Sequence, residues 1–331
     1  MENSILSVLR QNNSEKFVLA TIIQTYGSTP RMPGTKMLVG EDGLLAGTIG
    51  GGMAEKTVCQ RALQLLQMNE STEITAEIQY GLPTCGGSVD ILMELHPDKN
   101  FWHFVNDIQS NGKEAVILTA LFPPYQKSIH GIDATVVHGV AQPNLKLSDQ
   151  DRQRIFQDKR TVIIGKEKEI WLAEPLARIE KLLILGAGHV GKWVAYGAKP
   201  LDFQVTVIDE REDFAQLEQL PGADAVICRD FISGIQSFQP DTDTYVVIAS
   251  WSHQTDADCL EEVLKYEVPY VGMLGSTKKI SGIVSNLQNK GITTEKLEQL
   301  RAPIGLDIRA KTPQEIAIGV LAEIISIRRR E

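Results

Sequence analysis

The sequence predicts an α/β protein in two parts: an N-terminal mixed α/β domain over about residues 1–175, followed by a C-terminal Rossmann-like parallel-sheet domain over 176–331. Three observations predict it. The apolar run Leu182-Leu183-Ile184-Leu185 leads into Gly186-Ala187-Gly188-His189-Val190-Gly191 and then into a helical pattern ending at Ala198. That is the strand, glycine turn and helix of a dinucleotide fold. After it, short β-branched runs alternate with helical ones, as in a parallel βαβ sheet. Finally, 331 residues fit two cores better than one.

In chain order, Ser4 to Leu9 reads as a short helix and Phe17 to Gln24 as a strand. Lys36 to Val39 and Leu44 to Ala46 form a hairpin around Glu41-Asp42-Gly43. A helix follows from about Ala54 to Met68, then strands at Ile74 to Gln79 and Ser88 to Leu95. Asn100 to Ser110 is helical and Ala115 to Leu121 a strand. From there to about Trp171 the pattern is short strands and loops with a polar insert at Ser148 to Lys159, all within a variable connection over about 100–175. The second domain begins between Ala177 and Lys181. Its strands are Leu182 to Leu185, Gln204 to Asp209, Ala225 to Cys228, Thr244 to Ala249 and Tyr270 to Leu274, with a helix at Ala257 to Lys265. The last helix, Pro313 to Arg328, has Thr312 as N-cap, Pro313 at N1 and Glu315 at N3.

Composition narrows the functional classes. Hydrophobic residues at 43% and charged residues at 23% describe a globular chain. A net charge of -9 disfavours nucleic acid as a partner, and Arg328, Arg329 and Arg330 read as a solvated helix end. No run of eighteen apolar residues exists, so no membrane span is expected. The N-terminus carries no signal-peptide pattern. Four cysteines, Cys59, Cys85, Cys228 and Cys259, form no CxxC pair, so neither a zinc framework nor a disulfide scaffold is expected and the setting is cytoplasmic.

Two constellations carry chemistry. In the second domain, Gly186 makes the tight turn, Gly188 lets backbone approach a pyrophosphate, and Gly191 lets helix and strand pack closely. Asp209, ending the next strand, would accept hydrogen bonds from ribose hydroxyls, which places NAD or another adenosine ligand ahead of NADP despite Arg211. His189 faces a phosphate or is a surface histidine. His253 and Asp256 follow the fourth strand at the ligand-binding edge, where His253 is a ligand contact or a loop histidine held by Asp256. Lys278 and Lys279 offer a further phosphate contact.

In the first domain, three glycine-dense loops, Gly27 to Gly34, Gly47 to Gly52 and Gly81 to Gly87, interrupt ordinary strands. Such density implies close backbone approach or positive φ, and runs of N–H groups make anion-binding nests. With Arg31 and Lys36 they suggest a site for a phosphorylated small molecule. Cys85, flanked by Gly86 and Gly87, suits a nucleophile or soft-metal ligand; the other three cysteines read as small buried hydrophobes. Glu55, in the first turn of its helix, is a dipole partner or a catalytic acid or base.

Taken together these segments resemble the XdhC/CoxI family of accessory proteins for xanthine dehydrogenase and related molybdenum hydroxylases. The resemblance rests on Gly27 to Val39, on Gly47 to Gly52 with Glu55, and on Cys85-Gly86-Gly87. It continues at Leu185 to Gly191, His253 with Asp256, Gly272 to Ser276 with Lys278 and Lys279, Pro303 to Ile308, and Thr312 to Ala317. Arg309, and Ser250-Trp251-Ser252 before His253, depart from the family pattern. The resemblance implies a chaperone that binds molybdenum cofactor (molybdopterin) as cargo, promotes exchange of an oxo ligand for sulfur, and inserts the product into an apo-hydroxylase of purine catabolism or a related oxidation. It implies Cys85 as a molybdenum contact, with Gly27, Ser28, Arg31, Lys36, Gly50, Gly51, Gly52, Gly86 and Gly87 around the pterin phosphate. Apo-xanthine dehydrogenase, a cysteine desulfurase and a second copy of the chain are the expected partners. Two other readings compete: an NAD-dependent oxidoreductase with His253 as proton-transfer residue, and a nucleotide-sensing regulator.

Overall fold

The computed structural model describes residues 5, 8, 16–68, 76–123, 125–131, 136–139, 147–166, 169–176 and 178–328. Most of the expected opening helix, together with Ala177, Arg329 and Arg330, lies outside them. The chain divides into two units, Met1–Arg178 and Ile179–Glu331.

The first unit opens with β1 (Phe17–Gly27), β2 (Lys36–Gly40) and β3 (Gly43–Gly47), followed by α1 (Gly52–Met68), β4 (Ala76–Thr84) and β5 (Gly87–Leu95). They form an antiparallel sheet of order β3-β2-β1-β5-β4. Alternation along β1 explains its two faces. Val18, Ala20 and Ile22 pack with Ala54, Val58 and Ala62 of α1, while Phe17 and Leu19 join a core shared with a second sheet.

That second sheet follows α2 (Lys99–Ser110). It comprises β6 (Ala115–Ala120), β7 (Lys127–Gly131), β8 (Val136–Gly139), β9 (Val162–Lys166) and β10 (Glu169–Leu176), in the order β8-β7-β6-β10-β9. The connection expected to be loops and short strands is therefore a complete sheet. Its polar insert is helical: α3 (Asp149–Arg152) runs into a π turn (Gln153–Gln157) that buries Ile155 against the sheet.

The two sheets repeat one another. Strand order is the same, and so is register. Leu19 pairs with Leu38 and Glu94, as Ile117 pairs with Ile129 and Glu174. Thr21 pairs with Lys36, as Thr119 pairs with Lys127. Gly47 and Gly139 occupy matching positions with φ of 74° and 90°, and a Cβ on either would strike the carbonyl of the matching lysine. The counterparts also meet reciprocally: Lys36 of the first sheet pairs with Glu174 of the second, and Lys127 of the second with Glu94 of the first.

The second unit is a parallel sheet of order β13-β12-β11-β14-β15-β16. Its strands are β11 (Lys181–Leu185), β12 (Gln204–Asp209), β13 (Ala225–Cys228), β14 (Thr244–Ile248), β15 (Tyr270–Met273) and β16 (Leu300–Arg301). The helices are α4 (His189–Ala198), α5 (Phe231–Phe238), α6 (His253–Val263), α7 (Thr277–Asn289), the short α8 (Thr294–Leu297) and α9 (Pro313–Arg328). Two apolar clusters cover its faces. One holds Ile235, Leu260 and Ile283 of α5, α6 and α7, and the other Val194 and Val320 of α4 and α9. The capping box of α9 forms as expected: Glu315 N donates to Thr312 Oγ1 at 3.3 Å, and Thr312 N to Glu315 Oε2 at 3.0 Å. Among the described residues no helix is long and apolar enough to cross a membrane.

Candidate functional site

In the first unit, the three glycine loops converge because β1 and β5 run past the end of the repeated sheet. Their pairing continues to Gly27 opposite Gly87. The third loop is a hairpin: β4 and β5 pair up to Thr84 opposite Gly87, leaving Cys85 and Gly86 as a two-residue turn. Gly86 has φ 102°, and its carbonyl accepts from Ser28 N at 3.1 Å. Gly87 is required by space, since a Cβ there would stand 2.1 Å from the Tyr26 carbonyl. The loop before α1 closes on the same place: a Cβ on Gly50 would lie 2.5 Å from Pro30 Cγ and 3.4 Å from Arg31 Cγ.

Cys85 is exposed at the tip of this turn. Next to it, Thr84 Oγ1 is buried with no hydrogen-bond partner among the described residues. Glu55 latches the second loop, its Oε2 accepting from Thr48 Oγ1 at 2.7 Å and Gly51 N at 3.0 Å. Gly27, Ser28, Arg31, Gly50, Gly86 and Gly87 are thus brought together, with Gly51, Gly52 and Glu55 at the rim. Lys36 is not. It is 3% exposed and paired with Glu174 between the sheets, where burial pushes its pKa down despite the carboxylate. The sequence could not show this, because its counter-ion is 138 residues away. Met32 and Met53, 70% and 63% exposed, add an apolar margin to these loops that glycine counting overlooked.

In the second unit the glycine loop lies at the topological switch point, since β11 has β12 on one side and β14 on the other. Gly186 and Gly191 are fixed by backbone: a Cβ on the first would meet the Ala249 carbonyl at 2.2 Å, and on the second the Gly186 carbonyl at 2.0 Å. Around Gly188, the N-cap of α4, there is open space. His189 is exposed on the first turn.

Asp209 does not offer the free carboxylate expected for a ribose. It is fully buried and accepts from Ala187 N (2.7 Å), Arg211 N (3.0 Å), Arg211 Nε (2.9 Å) and a terminal nitrogen of Arg211 (2.7 Å). Burial raises its pKa, but these donors outweigh burial and hold the carboxyl below its ordinary value. Glu210, exposed beside it, accepts from Trp251 Nε1 at 2.8 Å. Asp256 is also buried, bonded to Ser250 and Lys279 rather than to His253. His253 and Lys278 line a cavity of about 540 Å³ along α6 and α7. Among the cysteines read as buried, Cys259 is buried, Cys59 half-buried and Cys228 exposed at the end of β13. No cluster of three or more His, Cys, Asp or Glu able to hold a metal occurs among the described residues, so Cys85 offers a single soft ligand.

The comparisons with known proteins agree with this geometry. A model described as the XdhC Rossmann domain matches residues 182–324, and one described as the XdhC and CoxI family matches residues 10–80. A protein of Escherichia coli (strain K12) named uncharacterized protein YqeB is 26% identical over 94% of the chain, which spans only 43% of that relative's length. A Bacillus subtilis (strain 168) protein, named as a probable xanthine dehydrogenase subunit, is 28% identical over 96% of the chain and 95% of its own. The molybdenum cofactor insertion chaperone PaoD of Escherichia coli (strain K12) is 25% identical over 94% of the chain and 83% of its own. A crystal structure from Bacillus halodurans, described as a xanthine dehydrogenase, superposes with a TM-score of 0.77 at 23% identity, covering 99% of this chain and 96% of that one; this likeness speaks for the fold alone. With both family models matched in chain order across the two units, the chain belongs to the XdhC/CoxI family.

Proposed function

We propose that this protein is a maturation chaperone that binds molybdenum cofactor as cargo, supports its sulfuration and inserts it into xanthine dehydrogenase or a related molybdenum hydroxylase. The observation that carries this reading is the convergence of three glycine loops on the exposed Cys85 turn. A thiolate there is a soft ligand for molybdenum. The surrounding amides and Arg31 suit the phosphate of an anionic pterin, while Lys36 and Glu55 act as framework. The relative named an insertion chaperone supports the same role. A cysteine desulfurase would supply the sulfur, and the working protein would be a cytoplasmic homodimer. The second unit would hold NAD or another nucleotide at Gly188 and His189, without Asp209 as its ribose acceptor.

The test is activation of an apo-hydroxylase by protein co-expressed with cofactor biosynthesis. The wild type is expected to carry near-stoichiometric pterin, measured as fluorescent oxidation product, and to activate the enzyme. Cys85→Ala should lose activation while melting like the wild type, because the side chain is exposed. Normal activation by that variant would remove Cys85 from the mechanism.

A further inference from the structure

At the carboxyl edge of the second unit's sheet, several carboxylates are committed to the framework. Asp209 is buried and satisfied by Ala187 and Arg211. Asp230 caps α5, accepting from Ser233 N at 2.9 Å. Asp256 is buried against Ser250 and Lys279. Glu210, the first residue after β12, is placed differently. It is exposed, and its Oε1 accepts from Trp251 Nε1 at 2.8 Å. A carboxylate has about four lone-pair sites, so Glu210 keeps acceptor capacity that a ligand can reach.

The bond to Trp251 straddles the glycine loop. Glu210 follows β12, and Trp251 follows β14 by three residues, with β11 between the two strands. Those strands are two spacings apart, about 10 Å, so the indole meets the carboxylate across the mouth of the Gly186 to Gly191 loop. Trp251 is 58% exposed and open to a ligand there. The loop leaves room at Gly188, where a Cβ would meet nothing within 4 Å. Helix α4 starts at that point without a side-chain cap, so its first amides suit a phosphate. Arg211 does not favour a second phosphate. Its Nε and one terminal nitrogen are spent on Asp209, and its guanidinium carbon lies 3.9 Å from the centre of the Phe214 ring.

We infer that Glu210 is the ribose acceptor of this site, taking the 2′-hydroxyl of an adenine nucleotide whose phosphate lies at Gly188, and that Trp251 is its positioning residue. The inference rests on the reading of the glycine loop as a nucleotide site. A carboxylate accepts from a hydroxyl and repels a 2′-phosphate, so the ligand class is a ribonucleotide with an unmodified 2′-hydroxyl. The Trp251 N–H restrains a long exposed side chain, which reduces the ordering that binding must supply. Trp251 belongs to the segment that departs from the family pattern, so this arrangement is particular to the sequence of this chain.

The test uses the full chain, with ADP and 2′-deoxy-ADP as probes that differ in one hydroxyl. Titration calorimetry should show saturable ADP binding about tenfold tighter than 2′-deoxy-ADP, since a site built to hydrogen-bond a hydroxyl rejects the analogue without it. Glu210→Ala should bring the two probes to equal affinity. Trp251→Phe, which keeps an aromatic ring and removes the N–H, should shrink the preference while leaving 2′-deoxy-ADP binding as it was. Both side chains are exposed, so both variants should melt like the wild type. Saturable ADP binding without a preference, or a preference undiminished in Glu210→Ala, would overturn the assignment and leave the nucleotide reading standing. A preference undiminished in Trp251→Phe would overturn the role of Trp251. No saturable binding of ADP would overturn the assignment and the nucleotide reading together.

Discussion

The two sheets of the first unit share strand order, register, a lysine, a glutamate and a positive-φ glycine, yet only one carries the candidate chemistry. The difference lies in strand length. β1 has eleven residues where β6 has six, and β4 and β5 have nine each where β9 and β10 have five and eight. The extra length holds Gly27, the Cys85 turn and Gly87 clear of the common framework. One copy has become a platform, the other a brace that neutralises it. A fold sets where strands lie, and function resides in what is grafted to their ends.

Five substitutions would break or sharpen this comparison. The largest effect is expected from uncoupling the copies: Lys36→Met leaves Glu174 buried without its counter-ion and should cost about 3–5 kcal/mol in urea unfolding. Lys127→Met should cost less, because its pair borders a cavity. Equal losses would deny the asymmetry. Lys36→Met with Glu174→Leu should recover much of the stability, as apolar replacement of a buried pair often does. Next, Gly87→Ala forces backbone movement beneath the Cys85 turn and should cost about 1–3 kcal/mol, with activation of the apo-hydroxylase falling further than stability. Unchanged activation would mean that the turn need not be held in place.

The smallest effect concerns pH. Arg61 of α1 holds the Glu77 carboxyl below the ordinary value through hydrogen bonds of 2.7 and 2.6 Å, whereas Val162 occupies the matching place in the second sheet. A carboxyl with a depressed folded pKa contributes stability above its unfolded pKa and loses it as pH falls through the folded one. The pair is partly exposed, so less than about 1 kcal/mol is expected. Melting temperatures of Glu77→Val and wild type should therefore converge as pH falls below about 4. A constant difference would exclude the pair as its source.

Much of the second unit was legible in the residues, because parallel strands buried on both faces read as continuous apolar runs. Gln204 to Asp209 falls where expected, and so does Ala225 to Cys228, although as an edge strand it has no fully buried residue. Helix α5 escaped, since Phe231–Phe238 is short and carries Gly234 on its buried face. In the first unit the glycine loops marked the candidate site, but the repeat was invisible: its matching positions are few and held by pairing between distant strands. Lys36 and Asp209 show the same limit. Each has a chemically suggestive identity; Lys36 is engaged by a partner 138 residues away, and Asp209 by the Ala187 amide as well as by its neighbour Arg211.

The bonding of Asp209 has a consequence for the neighbouring glycine loop. By accepting from Ala187 N it holds the second amide of that loop from inside the protein, so the turn is set before any nucleotide arrives. Loop geometry and nucleotide affinity are therefore separable properties of this domain. A descendant could abandon its ligand and keep the fingerprint intact, because the fingerprint answers first to folding.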